Sequence, residues 1–346
     1  MNFSTKKPPL TLVLFLSILL SCGGQEDQPT PITPSVQERN PYSLGRVGNA
    51  EDIQTTTEAA VVLMGGSTDV DAAMRWMIEK AGKGDIVVIR VTGAAAYNEY
   101  IYGLSNTNSV ETLRINSSVA ANDDRVIATL RNAEAVFIAG GDQSNYLRHW
   151  EGTKVEETLQ YLIHEKKVPI GGTSAGCAIM GEFVYTGENG SIVSSEALSN
   201  PFDDRLTVRR SSLINHPLLK NTVTDQHFAQ RNREGRLLSF LANIFDRYEI
   251  RPTAIGVDER TAVLIDKSGK WQIVGEHDAY FLKSSENGPE LITPNTPLTW
   301  NRDNSAVSVF RSAKTSEFSS TSIKDWELPW THYWYADNGS FGSRAL

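Results

Sequence analysis

Four short apolar runs, each leading into glycine, set the limits on what this chain can fold into. They are Ala60-Val61-Val62-Leu63-Met64 before Gly65-Gly66, residues 85–91, residues 135–139 before Gly140-Gly141, and residues 168–171. Each has the length of a strand and lacks polar alternation, so each reads as a strand buried on both faces. The stretches between them read as helices. Residues 69–83 supply Ala72, Met74, Trp76, Met77 and Ile78, residues 123–132 form a second helix, and residues 154–166 place Val155, Leu159, Leu162 and Ile163 near one face. Strands alternating with helices predict an α/β fold, a mostly parallel sheet with helices on both faces. Further strands are expected at 110–115, 254–257, 261–266 and 271–274. No internal repeat or mid-chain linker breaks the pattern, so one domain is expected.

The start of the chain has a different texture. Lys6 and Lys7 precede an apolar stretch, residues 10–20, too short to span a bilayer as a helix. It ends in Leu19-Leu20-Ser21-Cys22 followed by Gly23-Gly24, which resembles a bacterial lipobox. The expectation is a lipoprotein signal peptide over 1–21 and lipidation at Cys22. The chain would then be exported and lipid-anchored to the bacterial cell envelope, on the periplasmic side or the cell surface. Residues 22–57, rich in Gln, Pro, Thr, Asn and Asp, read as a disordered tether. Of the two cysteines, a lipidated Cys22 leaves Cys177 without an intramolecular partner, and Cys177 is expected to pack in the core. The formal net charge of −8, without a dense basic run, argues against nucleic acid as a partner. No His/Cys/Asp/Glu grouping has metal-site spacing and Gly65-Gly66 is not a dinucleotide fingerprint, so neither metal nor cofactor is expected.

Three segments carry chemistry. In Pro169-Ile170-Gly171-Gly172-Thr173-Ser174-Ala175-Gly176, a strand runs into Gly-x-Ser-x-Gly before an Ala/Ile/Met run. That pattern places a serine hydroxyl on a sharp strand-to-helix turn, with the Ala175 N–H facing a developing oxyanion. A glycine-rich phosphate-binding turn is the competing reading. Gly140-Gly141-Asp142-Gln143 follows a strand in the same way, so this loop shares the sheet edge with Ser174 and can complete an oxyanion hole, unless it is only a tight turn. In the third segment, residues 224–237, His227 can take the serine proton. Arg231, Arg233 and Arg236 follow, suited to carboxylates through the guanidinium fork, or else lining a solvated helix face.

Taken together, the blocks Ala139-Gly140-Gly141-Asp142-Gln143, Gly172-Thr173-Ser174-Ala175-Gly176, Asp225-Gln226-His227-Phe228 with its Arg-x-Arg-x-x-Arg-Leu run, and Gly256-Val257-Asp258-Glu259 resemble the cyanophycinase and aspartyl dipeptidase family of serine peptidases. The resemblance spans about residues 58–312 and leaves an aromatic-rich C-terminal arm, 313–346, outside it. It implies a sheet like that of class I glutamine amidotransferases. It also implies Ser174 as nucleophile, His227 as general base, and Gln143, Asp225, Gln226, Arg231, Arg233 and Arg236 around the substrate. For the third triad member it implies a glutamate a short way past the serine, where this chain has Ile192. Glu188 and Glu196 flank that point, and Glu188 is favoured because it follows the strand-like Phe183-Val184-Tyr185. The implied substrate is an acidic peptide or polymer cleaved at aspartyl residues. The choice is between a cyanophycin-type polymer, small aspartyl or isoaspartyl peptides, and binding without catalysis. A homodimer is left open.

Overall fold

The apolar runs come together as the middle of a mixed eight-stranded sheet. Its order is β1 (Ser43–Gly48), β4 (Ser109–Arg114), β3 (Asp85–Arg90), β5 (Ala135–Ile138), β6 (Pro169–Thr173), β2 (Ala60–Met64), β11 (Thr261–Asp266) and β12 (Trp271–Gly275). The five strands from β4 to β2 are parallel, β1 and β11 run against them, and β12, antiparallel to β11, runs with them again. The computed structural model describes residues 1–7, 9 and 40–346; residues 1–7 and 9 form no regular element. The expected signal peptide and lipidated Cys22 therefore lie largely outside the described residues.

Side-chain alternation along the strands explains why both faces are covered. Val61, Leu63, Val87, Ile89, Val136 and Ile138 share one apolar cluster, while Val62, Met64, Ile86, Val88, Ala135 and Phe137 share another. The first face is closed by α4 (Asp124–Asn132), α5 (Gln143–Trp150) and α6 (Lys154–Tyr161) through Val126, Leu130, Leu147, Val155 and Leu159. The second is closed by α1 (Asp71–Lys80) and α2 (Ala96–Leu104) through Met74, Met77, Ile78 and Ile101. Each such side chain taken fully from water contributes roughly 1.5–3 kcal/mol. A short α3 (Ser118–Ala121) lies between β4 and α4.

Two expectations are corrected here. Residues 43–48, assigned to a disordered tether, form β1, tied by an Arg46–Glu111 ion pair at 2.7 Å. The stretch after it is laid on the domain by bonds such as Thr55 Oγ1 to the Ala81 carbonyl, 2.6 Å. Composition suggested a tether because these contacts are polar. The expected helix 154–166 stops at Tyr161 and continues as a π turn, Leu162–Lys166, closed by Lys167 at φ 61°.

A second eight-stranded sheet was not foreseen. Its order is β16 (Ser340–Ala345), β15 (His332–Asp337), β14 (Val307–Ser312), β13 (Ala279–Ser284), β10 (Thr253–Val257), β9 (Thr222–Asp225), β7 (Phe183–Tyr185) and β8 (Val208–Arg210). Only β9 lies parallel to its neighbours, β10 and β7; the other pairs are antiparallel. The arm beyond residue 312 thus extends this sheet. Strands as short as β7 and β8 carry too little pattern to be read locally. Helix α9 (Glu234–Tyr248) packs Leu237, Leu238, Phe240, Leu241 and Ile244 into the adjoining cluster. Helices α7 (Ala175–Ala178) and α8 (Ser194–Ser199) complete the set.

Candidate active site

Ser174 stands between β6 and α7 with φ 52° and ψ −118°. A non-glycine residue in the left-handed half of φ space costs of order 1–3 kcal/mol and persists where neighbours over-determine it. Here the Ser174 N–H donates to the Met64 carbonyl at 3.1 Å, and its carbonyl accepts from Ala178 N–H at 3.0 Å. The flanking glycines serve close approach rather than the turn itself. A Cβ on Gly172 would lie 2.5 Å from the Gly176 backbone, and one on Gly176 would lie 2.1 Å from the Ile138 carbonyl oxygen. Ala175 opens α7, so its N–H has no partner within that helix. The loop after β5 comes alongside: a Cβ on Gly140 would sit 3.3 Å from Ser174 Cβ, with Gly141 next along.

Across from it, His227 and Glu259 project from the second sheet. Strands β9 and β10 are parallel neighbours with Asp225 opposite Gly256, so the residues just beyond each strand emerge side by side. His227, at φ 46°, is fixed by its N–H donating to the Gly65 carbonyl at 2.8 Å. Its Nε2 lies 2.9 Å from Ser174 Oγ, and its Nδ1 lies 2.6 Å from Glu259 Oε1. Gly66, at φ +96°, leaves room for the ring: a Cβ there would be 2.6 Å from His227 Nε2.

The acid beside the histidine is therefore Glu259, not Glu188. Both ring nitrogens are taken, and Glu188 instead lines a cavity of about 480 Å³ with Ser144, Arg148 and Arg209. Glu196 accepts from the Val193 N–H at 3.2 Å and pairs with Arg205 at 3.1 Å. Glu259 belongs to the Gly-Val-Asp-Glu block that carries the family resemblance, and an acidic residue just past a strand end was the signal that could have found it.

The other expected residues divide. Asp142 caps α5, accepting from Ser144 N–H at 2.9 Å, and Gln143 packs its amide against Gly187. Asp225 and Arg236 form a buried bidentate pair, at 2.9 and 2.5 Å, with the guanidinium over the rings of Tyr185 and Phe240. Arg233 is also buried, donating to the Gln226 carbonyl at 2.5 Å. Arg231 alone of the three is open, its side chain 53 % exposed and its Nε 4.0 Å from Glu259 Oε1. Gln226 is buried beside Asp225. Cys177 is fully buried, and burial pushes its thiol pKa up. Among the described residues no His/Cys/Asp/Glu group could hold a metal ion.

Burial is also the main influence on His227 and lowers its pKa below the ordinary value. The Glu259 hydrogen bond works the other way, while Arg231 and Arg233 add to the lowering. At neutral pH the ring is neutral, with Nε2 free to accept the serine proton and Nδ1–H donated to Glu259. Serine, imidazole and carboxylate in this order are the parts of acyl transfer through a covalent intermediate.

Several known proteins are similar to this chain. The chain is 28 % identical over 257 residues to the cyanophycinase of Trichormus variabilis, covering 70 % of this chain and 80 % of that one. The cyanophycinase of a Nostoc species matches to the same extent. A peptidase from an acI-B1 actinobacterium shares the fold, with TM-score 0.50 at 14 % identity, over 78 % of this chain and 99 % of that one. The model of peptidase family S51 matches residues 90–273, more than half of the 346. That segment contains Ser174, His227 and Glu259, and on a match of this extent the chain belongs to peptidase family S51.

Proposed function

We propose that the chain is an exported serine exopeptidase that hydrolyses aspartyl peptides, with cyanophycin or a related β-linked acidic polymer as substrate and β-Asp-Arg dipeptides as product. The observation that carries this is the Ser174–His227–Glu259 relay, at 2.9 and 2.6 Å, with its serine on a strained strand-to-helix turn. That turn is read as a nucleophile elbow on a sheet of the class I glutamine amidotransferase kind. In this mechanism Ser174 Oγ attacks the scissile carbonyl while His227 Nε2 takes its proton, and Glu259 stabilises the imidazolium. The Ala175 and Gly141 N–H groups receive the oxyanion. Collapse of the tetrahedral intermediate breaks the C–N bond as His227 protonates the leaving amine. Water, activated by the same histidine, then releases the acyl group.

Substrate choice rests on the two cyanophycinase relatives and on Arg231, the open guanidinium beside the triad. Export and lipidation at Cys22 rest on Lys6, Lys7 and the apolar stretch before Leu20-Ser21-Cys22, and an anchored enzyme would suit digestion of an external polymer.

Ser174→Ala is expected to abolish release of dipeptides from cyanophycin while the variant melts like the parent. Glu259→Gln is expected to slow turnover by orders of magnitude, and Glu188→Gln by much less. Retention of a tenth of parental turnover in Ser174→Ala would sink the mechanism, and the reverse ranking of the two glutamates would remove Glu259 from it.

A further inference from the structure

The strands outside the family-matched segment reach the histidine from behind. Residue Phe228, next after His227, is fully buried with its ring over Gly256; a Cβ there would lie 2.9 Å from that ring. Gly256, Tyr280 and Arg311 stand opposite one another across β10, β13 and β14, so they share one face of the second sheet, and Trp334 on β15 belongs to that face through its pairing with Val307. The Phe228 ring fills the gap that Gly256 leaves in this row. Tyr280 lies against it at 4.9 Å between centroids, and Trp334 stacks on it at 6.3 Å and 15°. Phe341 on β16 backs Trp334 edge-on at 5.3 Å.

A polar chain runs beside the aromatic one. Arg311 Nε donates to Asp278 Oδ2 at 2.7 Å, Asp278 N–H donates to Asp258 Oδ2 at 3.2 Å, and Asp258 Oδ1 accepts from Ala229 N–H at 2.8 Å. Both chains end one or two residues from the relay, at Phe228 and Ala229 beside His227 and at Asp258 beside Glu259. His227 also holds a positive φ, uncommon for a residue other than glycine.

We infer that the C-terminal strand pair β15–β16 is a brace for the catalytic base, with Trp334 as a positioning residue that acts on His227 through Phe228. The brace rests on the peptidase reading only where turnover is the readout. Removing Trp334 leaves a space behind Phe228 into which the ring can shift, and the adjoining His227 backbone moves with it. The imidazole then spends less time within reach of Ser174 Oγ. Binding of substrate, which the brace does not touch, is left as it was.

The test compares Trp334→Ala and Trp334→Phe with Trp300→Ala, all in the full chain and at a temperature where each is folded. Trp300 is equally large and buried in the same cluster, but packs on Phe245 rather than on the histidine loop. Expected are a fall of about tenfold or more in Ser174 labelling by a serine-directed phosphonate and in kcat for Trp334→Ala, with KM nearly unchanged. Trp334→Phe should recover most of the rate, and Trp300→Ala should match the parent. Amide hydrogen exchange at His227 and Ala229 should speed up in Trp334→Ala alone. Parental labelling in Trp334→Ala, or an equal slowing in Trp300→Ala, overturns the brace. If Trp334→Ala does not fold, Phe341→Ala takes its place: it removes the partly exposed β16 ring that backs Trp334, and unchanged exchange at His227 and Ala229 counts against the proposal. A parent chain that resists the phosphonate while the exchange pattern holds removes the peptidase reading and leaves the brace standing.

Discussion

Arg231 and Arg236 are the same residue type five positions apart, yet their surroundings give them opposite work. Arg236 is 1 % exposed and donates to both oxygens of Asp225 through Nε and Nη2, so removing it leaves a buried carboxylate with only the looser Arg233, at 3.7 Å, as its cation. Breaking one side of such a pair costs about 3–5 kcal/mol. Arg231 is open and has only a loose contact with Glu259. Arg236→Ala is therefore expected to lower the melting temperature and every activity together. Arg231→Ala should melt normally and lose only capture of acidic substrate, by about ten- to a hundredfold in kcat/KM. Melting curves and paired assays on an acidic peptide and a neutral ester separate the two, and equal loss on both substrates by a normally melting Arg231→Ala would defeat its recognition role. The sequence makes the meeting of Ser174 and His227 legible because each stands in a compact local motif. It hides the difference between the arginines, because helix spacing shows which ones share a face but not that α9 turns that face inward. Glu259 escapes for a related reason: its place beside His227 depends on β9 pairing with β10, a contact between distant segments.

At the scale of elements, the local pattern foretells the parallel strands of the first sheet closely, since buried strands of this kind announce themselves as unbroken apolar runs. Their ends are less legible, and the end of α6 shows why. Residues 154–166 keep helical periodicity to the last, yet the chain widens into a π turn at Leu162. That turn accompanies a placement of Lys166 that no periodicity encodes. Its Nζ donates to the carbonyls of Asn132 and Ala133 at the end of α4, at 2.8 and 2.9 Å, and to Glu134 Oε1 at 2.9 Å. The Glu134 carboxylate is wholly buried and also accepts from the Asp85 N–H at 2.9 Å. Burial raises its pKa against the pull of Lys166. Lys166→Met should thus cost about 3 kcal/mol by leaving a buried carboxylate without its cation. Lys154→Met, which breaks an exposed, solvent-screened pair with Asp124, should cost much less. Urea titrations of the two variants measure the contrast, and adding Glu134→Gln to Lys166→Met should return part of the loss. Equal costs for the two lysines would mean that the buried ion pair carries no special weight.

Taken as a whole, the molecule holds buried ionisable groups of both kinds, and their opposing signs shape its response to acid. His216 is almost fully buried, and burial drives its pKa down to about 3, with the charges of His164 and Lys167 acting in the same direction. Its Nδ1 accepts the Leu218 N–H at 3.2 Å, so protonation there would also break a bond that holds the chain before β9. His227 is lowered as well. An unfolded histidine takes up its proton near pH ~6.5 while the folded one stays neutral, so below that value unfolding binds protons and stability falls as pH falls. One such group gives a slope of up to ~1.4 kcal/mol per pH unit. Glu134, Glu234 and Asp258 act oppositely, because burial raises their pKa values and the folded state takes protons first as pH drops. Their contribution opposes that of the histidines from the ordinary carboxylate range up to the raised values, whereas that of His216 runs on from about pH 6.5 down to about 3. The histidine share of the stability, read from urea titrations, should fall through that window. His216→Asn, whose amide can still accept the Leu218 N–H, should flatten the slope by up to one proton's worth, and His227→Asn should remove a smaller share. A slope unchanged in His216→Asn would show that this histidine is protonated in the fold as easily as in the open chain.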